Sequence, residues 1–337
     1  MIDFVVTYVD GNDPVWREKM LRYRGDLTGE KTHDELIREE RFRDFDVFRY
    51  WFRAVAENAP WVHKIYVVTD NQTPEWLNTD DEKIVPVNHT DFIPEKYLPL
   101  FNSCAIEVNL HRILGLSDTF VYFNDDMYLN KPVKEEDFFV NGLPKYYAGL
   151  EQFEEKTLYS YDYHKFAGMT VANRNVPPDD ICIAYKTKFF DRVLGEGAWR
   201  NFLMSRVFGK FRVTHFEDDH LASPILRTTM EEIWKKEPEL LDITSSNRFR
   251  GFTGVNQYVF RYYDCTRGNF IPRAKWHGFY NPGAEWAKGW EADIREGYNR
   301  CICLNDGCVI PEEFADIKQR MIDAFESRYP NKCRFEK

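Results

Sequence analysis

Phe120-Val121-Tyr122-Phe123-Asn124-Asp125-Asp126 is a run of four apolar residues that ends in one amide and two carboxylates. Such a run, bounded by polar residues, reads as a strand covered on both faces, the kind found in parallel sheets. Upstream, Phe4-Val5-Val6-Thr7-Tyr8-Val9 is a second run of this type, ended by the turn Asp10-Gly11-Asn12-Asp13-Pro14. Ile65-Tyr66-Val67-Val68-Thr69 is a third, followed by Asp70-Asn71, and Ile84 to Val87 is a short fourth. Helical signals lie between them. One spans about Glu35 to Asn58 and breaks at Ala59-Pro60. Another starts at Ser103 as cap, with Ile106, Leu110 and Ile113 at the i, i+4, i+7 spacing, and stops at Gly115. Strands alternating with helices predict an α/β fold with a mostly parallel sheet. Ligands bind beyond the carboxyl ends of such strands, so Asp10, Asp70 and Asn124-Asp125-Asp126 are expected along one edge. Asp and Asn also favour turns for local reasons, and that reading suffices for Asp70-Asn71.

From these signals, 1–144 forms the α/β core. Residues 145–213, aromatic and weakly periodic, read as an insertion or loop-rich subdomain over the site. Residues 214–337 supply the remainder, with a helix from Ser223-Pro224 (Leu226, Met230, Ile233 and Trp234 on one face) and a last helix from Pro311-Glu312-Glu313.

The 337 residues carry 45 basic and 55 acidic side chains, a net charge of −10, which argues against a nucleic-acid partner. No apolar stretch approaches the roughly 18 residues of a membrane span, and Met1 leads directly into a strand, so no signal peptide and a cytoplasmic location are expected. Seven cysteines in an irregular set, with Cys301, Cys303 and Cys308 clustered but not at a standard zinc spacing, read as reduced thiols. Trp61, Trp76 and Trp276 read as packing residues.

The chemistry-bearing residues follow from their types. Paired carboxylates beyond a buried strand suit Mg²⁺ or Mn²⁺, which take hard oxygen ligands and keep positions open for phosphate oxygens. In the Asp10 turn, Gly11 would let the backbone approach a ligand closely, although the same residues make an ordinary turn. Glu107 and His111, four apart on the Ser103 helix, serve either an acceptor or the metal's surroundings, or form a polar pair. His215 and His220 flank Glu217-Asp218-Asp219, and either imidazole could act as general base. Arg248 and Arg250 carry guanidinium forks suited to phosphate. Asn305-Asp306-Gly307 reads by default as a turn.

Together these residues resemble the Stealth protein family, which includes bacterial capsule polysaccharide phosphotransferases and the animal N-acetylglucosamine-1-phosphotransferase. Four blocks carry the resemblance. The first is Ile2 to Pro14. The second runs from Arg41-Phe42-Arg43-Asp44 through Ala59-Pro60-Trp61-Val62, Phe101-Asn102-Ser103, Ala105-Ile106-Glu107 and His111-Arg112-Ile113 to Tyr122-Phe123-Asn124-Asp125-Asp126. The third runs from His220 to Arg248-Phe249-Arg250, and the fourth is Cys303-Leu304-Asn305-Asp306. The resemblance implies a Rossmann-like, glycosyltransferase-A-type fold with helical and loop-rich insertions. It implies transfer of a sugar 1-phosphate, such as N-acetylglucosamine 1-phosphate, from a nucleoside diphosphate sugar (UDP-GlcNAc, for one) to a glycan or polysaccharide hydroxyl. Mg²⁺ or Mn²⁺ is the implied cofactor, on Asp125 and Asp126 with Asn305 and Asp306. His220, Arg250, Asp126 and Glu107 become catalytic. Asp10, Gly11, Asn12, Asp13, Arg41, Asn102, Ser103, His111 and Asn124 become substrate-binding. Peripheral association with membrane-bound capsule machinery is a further implied partner. After His220 the chain reads Leu221-Ala222-Ser223-Pro224, without the Pro and second His often found there, which leaves His215 beside His220 as base. An ordinary glycosyltransferase, releasing nucleoside diphosphate, is the rival chemistry.

Overall fold

The computed structural model describes residues 1–25, 42–151 and 160–337; Arg41 and the expected helical stretch 35–41 lie outside the described residues. The central sheet holds five strands: β1 (Asp3–Thr7), β2 (Ile65–Thr69), β3 (Ile84–Asn88), β4 (Thr119–Asn124) and β6 (Ser223–Leu226), with β5 (Met127–Leu129) in a second sheet. Their order is β3-β2-β1-β4-β6. The first four run parallel and β6 pairs antiparallel with β4. This is a mostly parallel, Rossmann-like α/β sheet. The chain runs outward through β1, β2 and β3, then returns to β4 on the other side of β1. The switch of direction between β1 and β4 opens a crevice at their carboxyl ends. There Thr7 pairs with both Val68 and Asn124, and its hydroxyl shares a 2.9 Å hydrogen bond with that of Tyr122.

Alternation along the strands divides the core. Phe4, Val6, Val121 and Phe123 face α2 (Phe48–Asn58) and α8 (Phe314–Arg328), where Trp51 and Phe325 are fully buried. Val5, Tyr66, Phe120 and Tyr122 face the opposite layer, with Ile106, Met230 and Tyr262. A second sheet, β7 (Phe279–Tyr280), β8 (Cys301–Leu304) and β5, lies beside the end of β4. Its ladder brings Leu304 N to Asp126 O at 2.9 Å, so Asn305 and Asp306 emerge next to the β4 triplet.

Several elements depart from the sequence reading. Ser223–Leu226 is strand, not helix: Pro224 sits opposite Val121 on an edge strand, where a missing N–H is tolerated, and the helix α7 (Arg227–Lys236) begins only afterwards. The helix expected from Ser103 to Ile113 is a five-residue turn, α3 (Ser103–Glu107), capped by Asn102 rather than Ser103, and Leu110–Arg112 is a separate 3₁₀ turn. α2 starts at Phe48, and α8 at Phe314 rather than Pro311. The aromatic segment expected to be loop-rich is largely helical, with α4 (Ser160–Asn175), α5 (Pro178–Ala184) and α6 (Glu196–Phe208). From α1 (Pro14–Gly25) to α8, no helix of the described residues is long and apolar enough to cross a membrane.

Candidate active site

A cleft of about 1020 Å³ opens at the carboxyl ends of β1, β2 and β4, at the upper end of the size of small-molecule sites. Asn124, Asp125 and Asp126 form part of its floor; Asn102, Ser103, His220, Arg250, Asn305 and Asp306 line it too.

The β4 triplet carries more negative charge than its surroundings balance. Asp126 Oδ1 and Asn124 Oδ1 are buried without a hydrogen-bond partner among the described residues. Burial, then Asp126 and Asp44, push the Asp125 carboxyl up to about 8. Orphaned oxygens and crowded carboxylates without a cation mark a place for a hard divalent ion. Asp126, His220 and Cys303 also offer ligand atoms within 4.8 Å of one another. Burial and Asp126 hold the Cys303 thiol well above its ordinary range, and it donates to Asp126 Oδ2 at 3.3 Å. Mg²⁺ and Mn²⁺ prefer oxygen donors to sulfur, so the oxygens of the triplet are the fitting donors, with the His220 imidazole beside them.

Asp306 is in a different condition. Arg43 Nε and Nη2 donate to its two oxygens at 2.8 and 2.9 Å, and Nη2 also reaches Val309 O. The carboxylate expected to hold metal is already neutralised by a bidentate guanidinium. Asn305 Oδ1 accepts from Gly307 N at 2.9 Å, closing the local turn.

With a ring nitrogen within 4.8 Å of the Asp126 carboxylate, His220 has φ of 44°, a left-handed backbone. Among the described residues, the other three non-glycine residues in that region are Asp or Asn. Backbone held this way needs surroundings that enforce it. Behind His220, Asp219 pairs with Arg273 and Arg261, and Asp218 accepts from Tyr161 at 2.7 Å and from Tyr262. His220 Nδ1 shares a 2.9 Å hydrogen bond with Tyr258 Oη, which leaves Nε2 for chemistry. Arg250 Nη2 donates to Ser103 Oγ at 2.7 Å. Glu107 is buried and accepts from Gln257 N at 3.0 Å; burial raises its carboxyl, opposed by Arg250, Ser103 and His220. Glu107 thus supports Arg250 and His220 from beneath rather than lining the cleft. Asn102 accepts from Cys104 N and donates to Asn247 O and Phe249 O at 2.9 and 3.3 Å, so it holds the loop that presents Arg250.

The other expected residues have different employment. Asp10 Oδ1 accepts from Asn12 N at 2.8 Å, and Asp13 Oδ1 caps α1 through Val15 N and Trp16 N. Gly11 is needed for close approach, but to the Phe42 backbone: a Cβ there would stand 2.0 Å from Phe42 O. This turn is therefore a brace, with Gln72 Nε2 donating to Asp10 O at 2.7 Å. His111 is outside the cleft lining. α3 ends before it, and its ring lies 5.7 Å from Trp234. His215 is buried and outside the lining; His220 is inside it.

Asp70, expected at this edge although a turn reading sufficed for it, lines the cleft, as do Gln72, His89, Arg43, Tyr8, Lys275, His277 and Trp276, which were not expected there. Asp70 and Gln72 carried the one usable signal, polar residues beyond a buried strand. Arg43 and Lys275 arrive through contacts no spacing reveals.

Residues 41–146 match the model of the Stealth protein CR2, conserved region 2. The chain is 39% identical to a capsular polysaccharide phosphotransferase WcwK of Streptococcus pneumoniae, over 100% of this chain and 99% of that protein. It is 36% identical to the receptor polysaccharide phosphotransferase WefC of Streptococcus gordonii, over 99% and 98%. It is also 36% identical to the exopolysaccharide phosphotransferase cps2G of Lactiplantibacillus plantarum, over 100% and 96%. Among solved structures, mouse xyloside xylosyltransferase 1 aligns with 92% of this chain and 99% of its own, at 10% identity and a TM-score of 0.37. Full-length identity at this level to several such proteins, together with the matched region, places the chain in the Stealth family.

Proposed function

We propose that the protein transfers a hexose 1-phosphate, such as N-acetylglucosamine 1-phosphate, from a nucleoside diphosphate sugar to a hydroxyl of a glycan acceptor in cell-surface polysaccharide synthesis. The observation that carries this reading is one cleft in which an uncompensated carboxylate cluster meets an oriented imidazole and guanidinium. The relatives' names, all polysaccharide phosphotransferases, support it.

The acceptor hydroxyl lies against His220, and Nε2 takes its proton as the oxygen attacks the phosphorus nearer the donor sugar. A bond forms between that oxygen and phosphorus. The bond from phosphorus to the bridging oxygen breaks, and nucleoside monophosphate leaves. Arg250, steadied by Ser103 and Glu107, faces the non-bridging oxygens and offsets their charge in the transition state. A Mg²⁺ or Mn²⁺ ion held by Asp126 with Asp125 and Asn124 would supply charge neutralisation on the diphosphate. The left-handed backbone at His220 and the bond to Tyr258 fix the imidazole's direction, and geometry of that kind favours His220 over the buried His215 as base.

The test is a screen of nucleoside diphosphate sugars with a glycan acceptor, followed by phosphorus NMR. A phosphodiester with released nucleoside monophosphate is the expected result. Release of nucleoside diphosphate alone would overturn the proposal in favour of glycosyl transfer.

A further inference from the structure

We propose that the outer face of α6 and the turn after it dock this protein on an anionic lipid bilayer.

α6 is turned inside out for a helix on a globular protein. Its buried positions are Gly197, Asn201 and Ser205, at the i, i+4, i+8 spacing. Asn201 is completely buried: it donates to Ala148 O and Phe189 O, both at 2.8 Å, and accepts from Leu150 N. The polar stripe therefore faces the protein and has satisfied partners. The apolar stripe faces outward instead. Trp199 is 63% exposed and Val207 74%, with Phe202 and Leu203 exposed between them. Beyond the helix, Phe208 and Phe211 are 61% and 63% exposed. A surface helix ordinarily buries its apolar face, and contiguous exposed apolar surface of this kind marks an interaction site.

Charge selects the partner. The chain carries a net charge of −10, yet residues 185–212 hold seven basic and only two acidic side chains. The basic groups sit among the exposed rings. The Arg206 guanidinium lies 5.9 Å from the centre of the Phe202 ring, and Lys210 Nζ lies 5.4 Å from that of Phe190. Neither Arg206 nor Lys210 has a carboxylate partner among the described residues. A second copy of the chain would set these cations against each other across a self-complementary interface. An anionic bilayer complements them, and Trp, Phe and Leu interleaved with Arg and Lys form the amphipathic pattern of interfacial helices. Arg200 of α6 pairs with Glu217, which also pairs with Lys275 of the cleft wall. Docking would thus hold the cleft one ion-pair layer from the membrane-facing helix.

This surface is independent of the reaction proposed above, and its test needs no turnover. The full chain is sedimented with vesicles of phosphatidylglycerol and phosphatidylcholine, and with phosphatidylcholine vesicles alone, across salt concentrations. Binding to the anionic vesicles, weakened by salt, is expected. Arg206→Gln with Lys210→Gln should weaken it roughly 30-fold, at about fivefold per basic residue. Trp199→Ser with Phe202→Ser should weaken it by more than about tenfold, with the thermal melt unchanged because these side chains are exposed. Equal binding to both vesicle types, or to neither, overturns the proposal. So does a dimer in light scattering that the Trp199→Ser, Phe202→Ser variant dissolves without any vesicle binding.

Discussion

Asn124-Asp125-Asp126 and Asn305-Asp306 both follow apolar strands and enter the same cleft, but their charges are balanced in different ways. The first group has two buried oxygens without partners among the described residues and a carboxyl pushed up by burial and its acidic neighbours. The second is held by both arms of Arg43, far away in sequence. Where the protein supplies the countercharge, an acidic residue holds structure together. Where it leaves the charge bare, an ion has something to gain by arriving. Residue type and position after a strand are identical signals in the two cases; only the tertiary partner separates them.

The largest test of that difference is Asp126→Asn. It replaces a carboxylate whose Oδ1 has no protein partner among the described residues. Turnover in the donor screen should fall by roughly three orders of magnitude or more, the scale expected when a metal-assisted step loses its ion. Folding should survive, since a charge leaves a crowded acidic group. Mn²⁺ titrated into the wild type should raise the melting temperature through binding to the native state alone, and the Asp126→Asn substitution should abolish that rise. A variant that keeps its Mn²⁺-dependent melting shift would move the ion elsewhere.

His220→Gln tests the imidazole beside that cluster. Loss of a general base costs about 10² to 10⁴ in rate. The fall should appear in kcat more than in KM, while the Mn²⁺ shift persists because the carboxylates are untouched. If the Mn²⁺ shift disappears along with turnover, His220 serves the ion rather than the acceptor.

Asp306→Asn should act in the reverse sense to Asp126→Asn. It breaks a partly buried bidentate pair and leaves Arg43 with Val309 O but no countercharge, so stability should drop by about 1–3 kcal/mol. The rate of the folded fraction should change less than about tenfold. A stable variant with no turnover would show that Asp306 gives up Arg43 for the ion during the reaction.

The sheet was readable because its decisive strands are covered on both faces and are written as unbroken apolar runs: Val5-Val6, Val67-Val68 and Phe120 to Phe123. The edge strand was not, because Ser223-Pro224 before an apolar face imitates a helix start, and only pairing with β4 decides otherwise. Likewise, Ile106, Leu110 and Ile113 all pack in the core at helical spacing although the helix stops at Glu107. In the site, the β4 triplet was legible from local pattern. Glu107, His220 and Arg250 were candidates by residue type, but only the family resemblance gave them roles in one site, since they come from three separate elements. Arg43, Gln72 and Tyr258 act over sequence separations that no local pattern encodes.

The smallest effect concerns the two histidines around Glu217-Asp218-Asp219, either of which could by residue type be the base, with the family resemblance favouring His220. His215→Gln should leave turnover nearly unchanged, as the residue lies outside the cleft lining. Its signature is in acid stability. Burial and Lys165 lower the His215 imidazole from 6.5 to about 4. The native state therefore binds this proton more weakly than the unfolded chain. Stability is complete above pH 6.5 and is lost as the pH falls toward 4. Between about pH 7 and pH 5 the wild type should lose about 2 kcal/mol from this group. Glutamine cannot be protonated, so its melting temperature should fall less over the same range, and the gap between the two proteins should narrow as the pH drops. Parallel melting curves would mean that His215 takes up its proton as readily in the folded protein as in the unfolded chain, against the burial that sets it apart from the cleft.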